Sequence, residues 1–340
     1  MSDLRIVDLD PFDKTMFDEW YRVYDEADRH GRAETATLWA PEELRVTMQE
    51  DARRRFDVGW VGLAEDEAVT IGHLRGSLLD NLSVAELAVG TVPSQRGKGH
   101  GSAMVAHLER EALRRGRTTV TAGVAWPADG HPEGEGEPYL EFALHRGYAL
   151  GLVDVQRRLK LPVDESLLDQ LSREAAAFHE GYTLRSWAGA VPDELLQGWA
   201  ELTASLMTEA PLGEMDREPE AVDLAAVRED EALIAQQGRA MYATVAQDRH
   251  GDVVAYSNLV ISESSERAYQ WGTLVSRAHR GHRLGLAVKV ANLRLLQHQR
   301  PDATAVITWN ADVNAHMIGV NERIGFRPVE RAGELQKKLA

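Results

Sequence analysis

The stretch that decides the fold is RGKGHG at residues 96–101, and a related stretch, RGHRLG, occurs 184 residues later at residues 280–285. Each follows an apolar, strand-like segment and opens an apolar helical run. A glycine–aromatic pair comes after each helical run, at residues 147–148 and 325–326. A strand, a basic glycine-rich turn and a helix together present several backbone N–H groups to a phosphate. The repeat therefore predicts two related domains, each shaped for a phosphate-bearing ligand.

The composition limits the classes of protein to consider. The chain has 340 residues, a formal net charge of −16 and no cysteine. The length favours two domains, and the acidic charge opposes broad contact with nucleic acid or an anionic membrane. Without cysteine there is no disulfide, thiolate metal site or cysteine nucleophile. The first residues do not resemble a signal peptide, and no apolar stretch approaches the roughly 18 residues of a membrane span. We therefore expect a cytoplasmic protein with no nucleic-acid or membrane partner.

The apolar periodicity predicts a similar order of elements in both halves. Strand-like patterns occur at 4–9, 59–64, 68–78, 84–89, 118–124, 183–187, 241–246, 253–261, 269–275, 305–309 and 326–339. Helix-like patterns occur at 11–24, 41–54, 102–115, 164–178, 193–207, 223–237, 286–299 and 314–323. Residues 126–138 are rich in proline and glycine and predict a loop. We expect an N-terminal domain at 1–160, a connecting segment at 161–180 and a C-terminal domain at 181–340.

These features resemble the GNAT superfamily of acyl-CoA-dependent N-acyltransferases. Its loop signature, Arg/Gln-x-x-Gly-x-Gly/Ala, is met in full by Arg96, Gly99 and Gly101, whereas Arg283 takes the place of the middle glycine in the second loop. The resemblance covers nearly the whole chain as two tandem copies, an arrangement similar to that of the mycothiol synthases. It implies an α/β (α+β) fold of two tandem domains, each with a mixed, mostly antiparallel sheet flanked by helices.

The resemblance also implies acetyl-CoA as the co-substrate, with its pyrophosphate held by the backbone of the glycine loop. In this family a splayed fourth strand leaves an N–H group free for the thioester carbonyl, near Val89 in the first half and near Leu274 in the second. The cofactor-binding residues implied are Val89, Arg96, Gly97, Lys98, Gly99, His100, Gly101, Leu274, Val275, Arg280, Gly281, His282, Arg283, Leu284, Gly285 and Asn314. Arg283 either crowds the second cradle or contributes its guanidinium to a phosphate. We expect no metal site, because the histidines show no spacing typical of metal ligands.

Catalysis in this family needs a proton acceptor for the amine and a proton for the departing thiolate. Glu86 lies on a predicted strand and is either a general base, directly or through water, or a carboxylate on a solvated strand face. The family tyrosine that protonates the thiolate is replaced by Ala143 in the first copy and by Asn321 in the second. Asn321 can hydrogen-bond the sulfur but cannot protonate it. Tyr139 and His145 near the first copy, and His316 in the second, are possible substitutes, and the alternative for each is a packing or surface residue.

The sequence thus predicts an acetyl-CoA-dependent N-acetyltransferase that acts on a primary amine of a small molecule by direct transfer through a tetrahedral intermediate. We expect a monomer or a homodimer in which one copy is degenerate. The first copy has the better phosphate loop, but the second keeps more of the downstream signature, which slightly favours the second as the catalytic one. The alternative is a non-catalytic CoA-binding or regulatory module, because the family tyrosine is missing from both copies.

Overall fold

The computed structural model describes residues 4–340, and its chain divides into two units. Unit 1 contains the described residues up to Val124, with Glu135–Gly151 and Gly333–Ala340. Unit 2 contains Ala125–Gly134 and Leu152–Ala332.

The two units do not follow the predicted boundaries at residues 160 and 180. The segment 161–180, expected to connect two domains, lies in unit 2. Its apolar side chains, among them Leu168 and Leu171, are buried in a core of that unit. The last residues of the chain lie in unit 1, where Leu335 is buried in the core. Burial of apolar side chains therefore decides which unit holds each segment.

Unit 1 is built on a mixed sheet. Its elements are β1 (Arg5–Asp8), α1 (Lys14–Arg29), α2 (Pro41–Gln49), β2 (Arg55–Ala64), β3 (Glu67–Ser77), β4 (Val84–Thr91), α3 (His100–Arg114), β5 (Thr119–Pro127, the last three residues of which fall in unit 2) and α4 (Pro138–Leu144). Strands β1 to β4 pair in antiparallel order, and β4 pairs with β5 in parallel. Apolar residues of α1 and α2 pack on one face of the sheet and those of α3 on the other.

Unit 2 repeats this plan. Its elements are β6 (Ala149–Lys160, the first three residues of which fall in unit 1), α5 (Glu165–Ala176), β7 (Thr183–Ala188), α6 (Asp193–Ala204), α7 (Leu206–Glu209), α8 (Leu224–Gln236), β8 (Arg239–Gln247), β9 (Val253–Ser262), β10 (Arg267–Val275), α9 (Leu284–Gln299), β11 (Ala305–Ala311), α10 (Ala315–Ile324) and β12 (Arg327–Lys338, which ends in unit 1). Strands β7 to β10 are antiparallel, β10 and β11 are parallel, and β11 and β6 are antiparallel. The predicted mixed, mostly antiparallel sheets flanked by helices are confirmed.

Several element boundaries differ from the prediction. Helix α1 begins at Lys14 rather than at residue 11, because the Asp13 side chain accepts hydrogen bonds from the amides of Thr15 and Met16 and so caps the helix. The predicted loop at 126–138 is shorter than expected, since β5 runs to Pro127 and α4 begins at Pro138. Neither α4 nor β6 was predicted.

Candidate active site

The sheet of unit 1 opens between β4 and β5. These strands pair in parallel only over Val84–Glu86 and Thr119–Thr121, although both continue further. Beyond that point the strands diverge, and the backbone groups of β4 that face β5 have no partner in that strand. A buried backbone N–H group requires an acceptor. An N–H group of β4 that has no acceptor in β5 can therefore donate to a bound ligand.

The amide of Val89 points into this opening. The Val92 N–H donates to the Val69 carbonyl at 3.0 Å, which fixes the side of β4 that bonds to β3. Since successive backbone groups of a strand alternate in direction, the amides of Thr91 and Val89 point to the opposite side, toward β5. This orientation is the one that the predicted role of Val89 requires.

Arg96 fastens the first loop (residues 96–101) to the end of β4. Its Nε donates to the Thr91 carbonyl at 3.0 Å, and its Nη2 donates to the Ala27 carbonyl at 3.0 Å. Its Nη1 donates to the Tyr139 hydroxyl at 2.6 Å, which leaves that hydroxyl its own proton. The predicted phosphate ligand Arg96 therefore positions the loop through backbone carbonyls.

The turn after Arg96 exposes the N-terminus of α3. Gly97 and Gly99 have φ values of 77° and 91°, and Gly99 is the N-cap residue of α3. The first bond of the helix runs from the Ala103 amide to the Gly99 carbonyl, so the amides of Gly101 and the residue after it have no acceptor within the helix. A Cβ on Gly101 would lie 3.3 Å from Thr91 Oγ1, which is a tight contact. Glycine at position 101 therefore allows the first turn of α3 to lie close to the end of β4.

The charged side chains of the first loop differ in their environment. Lys98 is exposed, and its Nζ donates to the neutral Gln95 Oε1 at 2.6 Å, so its positive charge is not compensated by that contact. His100 is buried, and burial, followed by the charge of Lys98, lowers the pKa of its imidazole. The lowered pKa disfavours a positive charge on this imidazole, so Lys98 is the charged side chain that the first loop offers to an anion besides Arg96.

The α1 side of the opening carries a row of polar side chains. Glu86 and Ala88 of β4 are exposed on this face. Both oxygens of Glu86 lie 2.7 Å from Arg75 Nη2, and the charge of Glu86 raises the pKa of Arg75. Next to Arg75, His73 Nε2 lies 3.1 Å from Asp57 Oδ1. The predicted base Glu86 is thus exposed, but it is paired with a cation.

The sheet of unit 2 opens in the same way between β10 and β11, which pair only over Arg267–Tyr269 and Ala305–Ile307. The Ser276 N–H donates to the Val254 carbonyl at 2.9 Å. By the same alternation the Leu274 amide points toward β9, whereas the amides of Thr273 and Val275 point toward β11. The prediction for Leu274 is therefore displaced by one residue, and Thr273 occupies the position equivalent to Val89.

A β-bulge at Trp271 is a further difference between the openings of the two units. The register of β10 against β9 shifts between Gln270 and Gly272, so Tyr269 rather than Gln270 is the last residue before the opening, as Glu86 is in unit 1. The Tyr269 ring stacks on Trp309 with 6.2 Å between the ring centroids. The copy of the opening in unit 2 therefore presents aromatic rings where unit 1 presents a carboxylate.

The second loop (residues 280–285) keeps the backbone of the first. Arg280 Nε donates to the Val275 carbonyl at 3.2 Å, as Arg96 does to Thr91. Gly281 has a φ of 90°, and Arg283 is the N-cap of α9 with a φ of 52°, in the left-handed region occupied by Gly99 in unit 1. A non-glycine residue in this region costs about 1 kcal/mol. The turn is thus retained despite an unfavourable residue.

The arginines of the second loop are paired with carboxylates of unit 2. Glu209 Oε2 lies 2.8 Å from Arg277 Nε and 2.9 Å from Arg280 Nη2. Arg283 lies 3.5 Å from Glu174 Oε2 and stacks over the Phe178 ring at 4.1 Å. The Arg283 side chain therefore contacts residues at the end of α5 and just after it. This contact is different from both predicted alternatives, crowding of the second cradle and binding of a phosphate.

The remaining predicted residues of the second loop are placed as follows. The His282 Nδ1 lies 3.1 Å from the Phe178 carbonyl, and Leu284 is buried. A Cβ on Gly285 would lie 3.6 Å from Val275 Cγ2, an ordinary contact that leaves room for a small side chain. Gly285 thus lies at the end of β10, as Gly101 lies at the end of β4.

Asn314 and Asn321 have structural partners in unit 2. Asn314 is the N-cap of α10, and its side chain accepts a hydrogen bond from the Met317 amide at 3.2 Å. Asn321 is buried, and its Nδ2 donates to Asn310 Oδ1 at 2.5 Å. The Asn321 Oδ1 is buried without a hydrogen-bond partner, and it has no proton to give to a thiolate.

Lys289 on α9 is the most unusual charged side chain of unit 2. It is 2% exposed, and its Nζ donates to Gln270 Oε1 at 3.1 Å. Burial lowers the pKa of its amine to about 7. The lysine is therefore substantially neutral at neutral pH.

Neither a membrane-spanning helix nor a cluster of metal ligands occurs among the described residues. No helix among residues 4–340 is long and apolar enough to cross a membrane. The same residues contain no group of three or more histidine, aspartate or glutamate side chains placed to hold a metal ion.

Comparison with known proteins agrees with the geometry. The sequence model of the acetyltransferase (GNAT) family matches residues 17–127. No match is found among curated proteins. A solved tandem GNAT protein from the clavulanic acid biosynthesis pathway, determined without acetyl-CoA, is 25% identical, with a TM-score of 0.79 over 99% of this chain and 98% of that one. A GCN5-related N-acetyltransferase from Sphaerobacter thermophilus has the same fold, with 15% identity and a TM-score of 0.65 over 98% of this chain and 95% of that one.

The family match includes the first loop and both strands of the first opening. The tandem relative extends the likeness over the second loop and the second opening. The GNAT family model therefore matches the part of unit 1 that carries the first loop and the first opening, and the chain as a whole has the fold of a tandem GNAT protein.

Proposed function

We propose that the chain transfers an acetyl group from acetyl-CoA to the primary amine of a small molecule, and that unit 1 carries out the reaction. The observation that supports this most directly is the combination, within unit 1, of a strand opening lined by the Val89 amide and a glycine loop whose Lys98 is not neutralised by a carboxylate. This assignment reverses the slight preference for the second copy in the sequence analysis, because Arg280 and Arg283 of the second loop are paired with Glu209 and Glu174.

Acetyl-CoA supplies the activated acetyl group as a thioester. In our proposal the amides at the start of α3 and the Lys98 ammonium bind its diphosphate, since a helix N-terminus favours anions. The Val89 N–H donates to the thioester carbonyl and stabilises the negative charge that develops on its oxygen, as an oxyanion hole does. Arg96 acts indirectly by holding the loop against β4.

The acceptor amine approaches on the α1 side of β4, in our proposal, where Glu86 and Ala88 are exposed. A carboxylate there favours a cationic acceptor such as a polyamine, an aminoglycoside or an amino sugar, in keeping with the net charge of −16. Tyr139 lies one helical turn before Ala143 on α4, and its hydroxyl is the donor that we assign to the departing thiolate. The tandem relative from a small-molecule biosynthetic pathway supports a small acceptor over a protein.

The proposed activity is tested by thiol release from acetyl-CoA with a panel of primary amines. We expect release that depends on the amine and yields the acetylated amine by mass spectrometry. Binding of acetyl-CoA without any amine-dependent release across polyamines, amino sugars and aminoglycosides would instead favour the CoA-binding module.

Our proposal further gives one CoA site per chain. In unit 2 the carboxylate of Glu209 already pairs with Arg280 of the second loop and with Arg277 just before it, so a diphosphate would have to displace it. We expect calorimetry to give one CoA per chain for the wild type. The double variant Glu209→Gln, Glu174→Gln should gain a second, weaker site, because Arg277, Arg280 and Arg283 then lose their carboxylate partners.

A matched control for this experiment is Glu194→Gln, which removes a carboxylate that pairs with Arg185 elsewhere in unit 2. This variant should still bind one CoA. Two sites in the wild type, or one site in the double variant, would show that the carboxylates do not close the second loop.

A further inference from the structure

The predicted base of unit 1 is held in an ion pair. Arg75 Nη2 lies 2.7 Å from both oxygens of Glu86. A carboxylate bound to a guanidinium in this way is stabilised in its charged form and is a weak proton acceptor. A different group on the same face is therefore needed to take the proton of the acceptor amine.

His73 is held by a carboxylate in the manner of a general base. Its Nε2 lies 3.1 Å from Asp57 Oδ1, and the side chain of Asp57 is only 5% exposed. An ionised carboxylate can only accept, so Nε2 carries the hydrogen and Nδ1 the lone pair. Within residues 4–340 this is the only hydrogen bond of the ring, and Nδ1 is not among the buried polar atoms without a partner. The ring is further fixed by the edge of Trp20, with 6.1 Å between centroids.

His73 lies on β3, the strand next to β4. It is opposite Ala88 in the pairing of the two strands, and Ala88 is exposed. Side chains of directly opposite residues share a face of the sheet, with Cβ atoms about 5 Å apart. His73 is therefore on the face where Glu86 and Ala88 are exposed, and the residue that follows Ala88 is Val89, whose amide points toward β5.

We propose that His73 is the catalytic base of unit 1 and that Asp57 is its positioning residue, an assignment that rests on the proposed acetyl transfer. His73 Nδ1 takes one proton from the acceptor ammonium. The nitrogen lone pair then forms the N–C bond to the acetyl carbon, and the C–S bond breaks when the tetrahedral intermediate collapses. The Tyr139 hydroxyl gives its proton to the departing sulfur, so that CoA leaves as the thiol, and the tyrosine regains a proton from the second N–H of the amine. The imidazolium returns its proton to water. The Glu86–Arg75 pair stays ionised throughout and attracts the cationic acceptor.

Titratable and charged groups lie on every element around His73. They are Asp57 and Arg55 on β2, Arg75 on β3, Glu86 on β4 and Tyr24 on α1. Of these, Asp57 is the group that contacts the ring, so its removal tests whether the ring must be held in place.

The test is the pH dependence of kcat/KM in four variants, with the affinity for acetyl-CoA measured by calorimetry in each. His73→Gln should lower kcat/KM by about a hundredfold or more and remove its acidic limb, since a general base contributes roughly 10²–10⁴-fold. Asp57→Asn should lower kcat and leave the affinity for acetyl-CoA unchanged, because the ring loses the carboxylate that orients it. Glu86→Gln should raise KM and keep the limb where it is. His30→Gln, which changes an exposed histidine at the end of α1, should behave as the wild type.

Unchanged affinity for acetyl-CoA in His73→Gln would show that the variant is folded. If His73→Gln keeps its acidic limb while the wild type turns over, the base is elsewhere and the assignment of His73 is overturned, but the proposed activity is not. If Glu86→Gln loses the limb, Glu86 is the base. If the wild type binds acetyl-CoA but acetylates no amine, the proposed activity and the assignment both fail.

Discussion

Gly99→Val should lower the affinity of unit 1 for CoA by about a hundredfold, which corresponds to about 2.7 kcal/mol. Gly99 has a φ of 91° and caps α3. A β-branched residue rarely adopts that conformation, so the turn would rearrange and the amides at the start of the helix would no longer converge. Loss of two charge-assisted hydrogen bonds to the diphosphate accounts for an effect of this size. The loss is measured by calorimetry with CoA.

Gly116→Val is the matched control for Gly99→Val. Gly116 has a φ of 73° and follows the opposite end of the same helix, and a Cβ on either glycine would meet nothing within 4 Å. Both variants should therefore lose a similar amount of thermal stability through backbone strain, but only Gly99→Val should lose CoA. Equal CoA affinities in the two variants would mean that the first loop does not hold the diphosphate.

Lys289→Met should stabilise the protein at pH 7 by about 1–4 kcal/mol, the range found when buried charged groups are replaced by apolar residues of similar volume. The wild-type lysine has a pKa lowered to about 7 by burial, whereas the unfolded chain has a lysine pKa of about 10.4. Between these values the unfolded chain binds more protons, so the free energy of unfolding of the wild type rises with pH across this window. The penalty is fully present below pH 7 and disappears near pH 10.

The measurement is urea unfolding of Lys289→Met and the wild type at pH 7 and pH 9.5. The advantage of the variant should shrink as the pH rises, because the wild type recovers its stability. The loss of the donor to Gln270 Oε1 offsets the gain by about 1 kcal/mol. The control is Lys160→Met, which changes an exposed lysine of unit 2 and should leave the pH dependence unchanged. A variant less stable than the wild type at both pH values would contradict a neutral buried amine.

Much of the fold could be predicted because its signals are local. The glycines and cations of the two loops mark the starts of α3 and α9, and apolar periodicity marks the strands around them. The direction of the Val89 amide follows from strand alternation counted back from the loop. The same count in the second copy gives Thr273, one residue from Leu274. The bulge at Trp271 then displaces the residue equivalent to Glu86, and Gly272 beside it is the sole local signal of the bulge.

What could not be predicted depends on contacts between residues distant in sequence. Glu209 meets Arg280 across 71 residues, and no local pattern relates the two. Asp57 and His73 face each other only because β2 and β3 are paired in one register, and a lone histidine in an apolar strand was the only sequence signal. The division of the chain into two units also depends on such contacts, since residues 333–340 at its end belong to unit 1.

The most direct test of the central claim is a crystal structure of the protein soaked with acetyl-CoA. We expect the diphosphate at the N-terminus of α3, within hydrogen-bond distance of the amides that follow Gly99, and the thioester carbonyl oxygen at the Val89 N–H. A diphosphate bound at the N-terminus of α9 instead, or a thioester carbonyl away from Val89, would contradict the assignment of the reaction to unit 1.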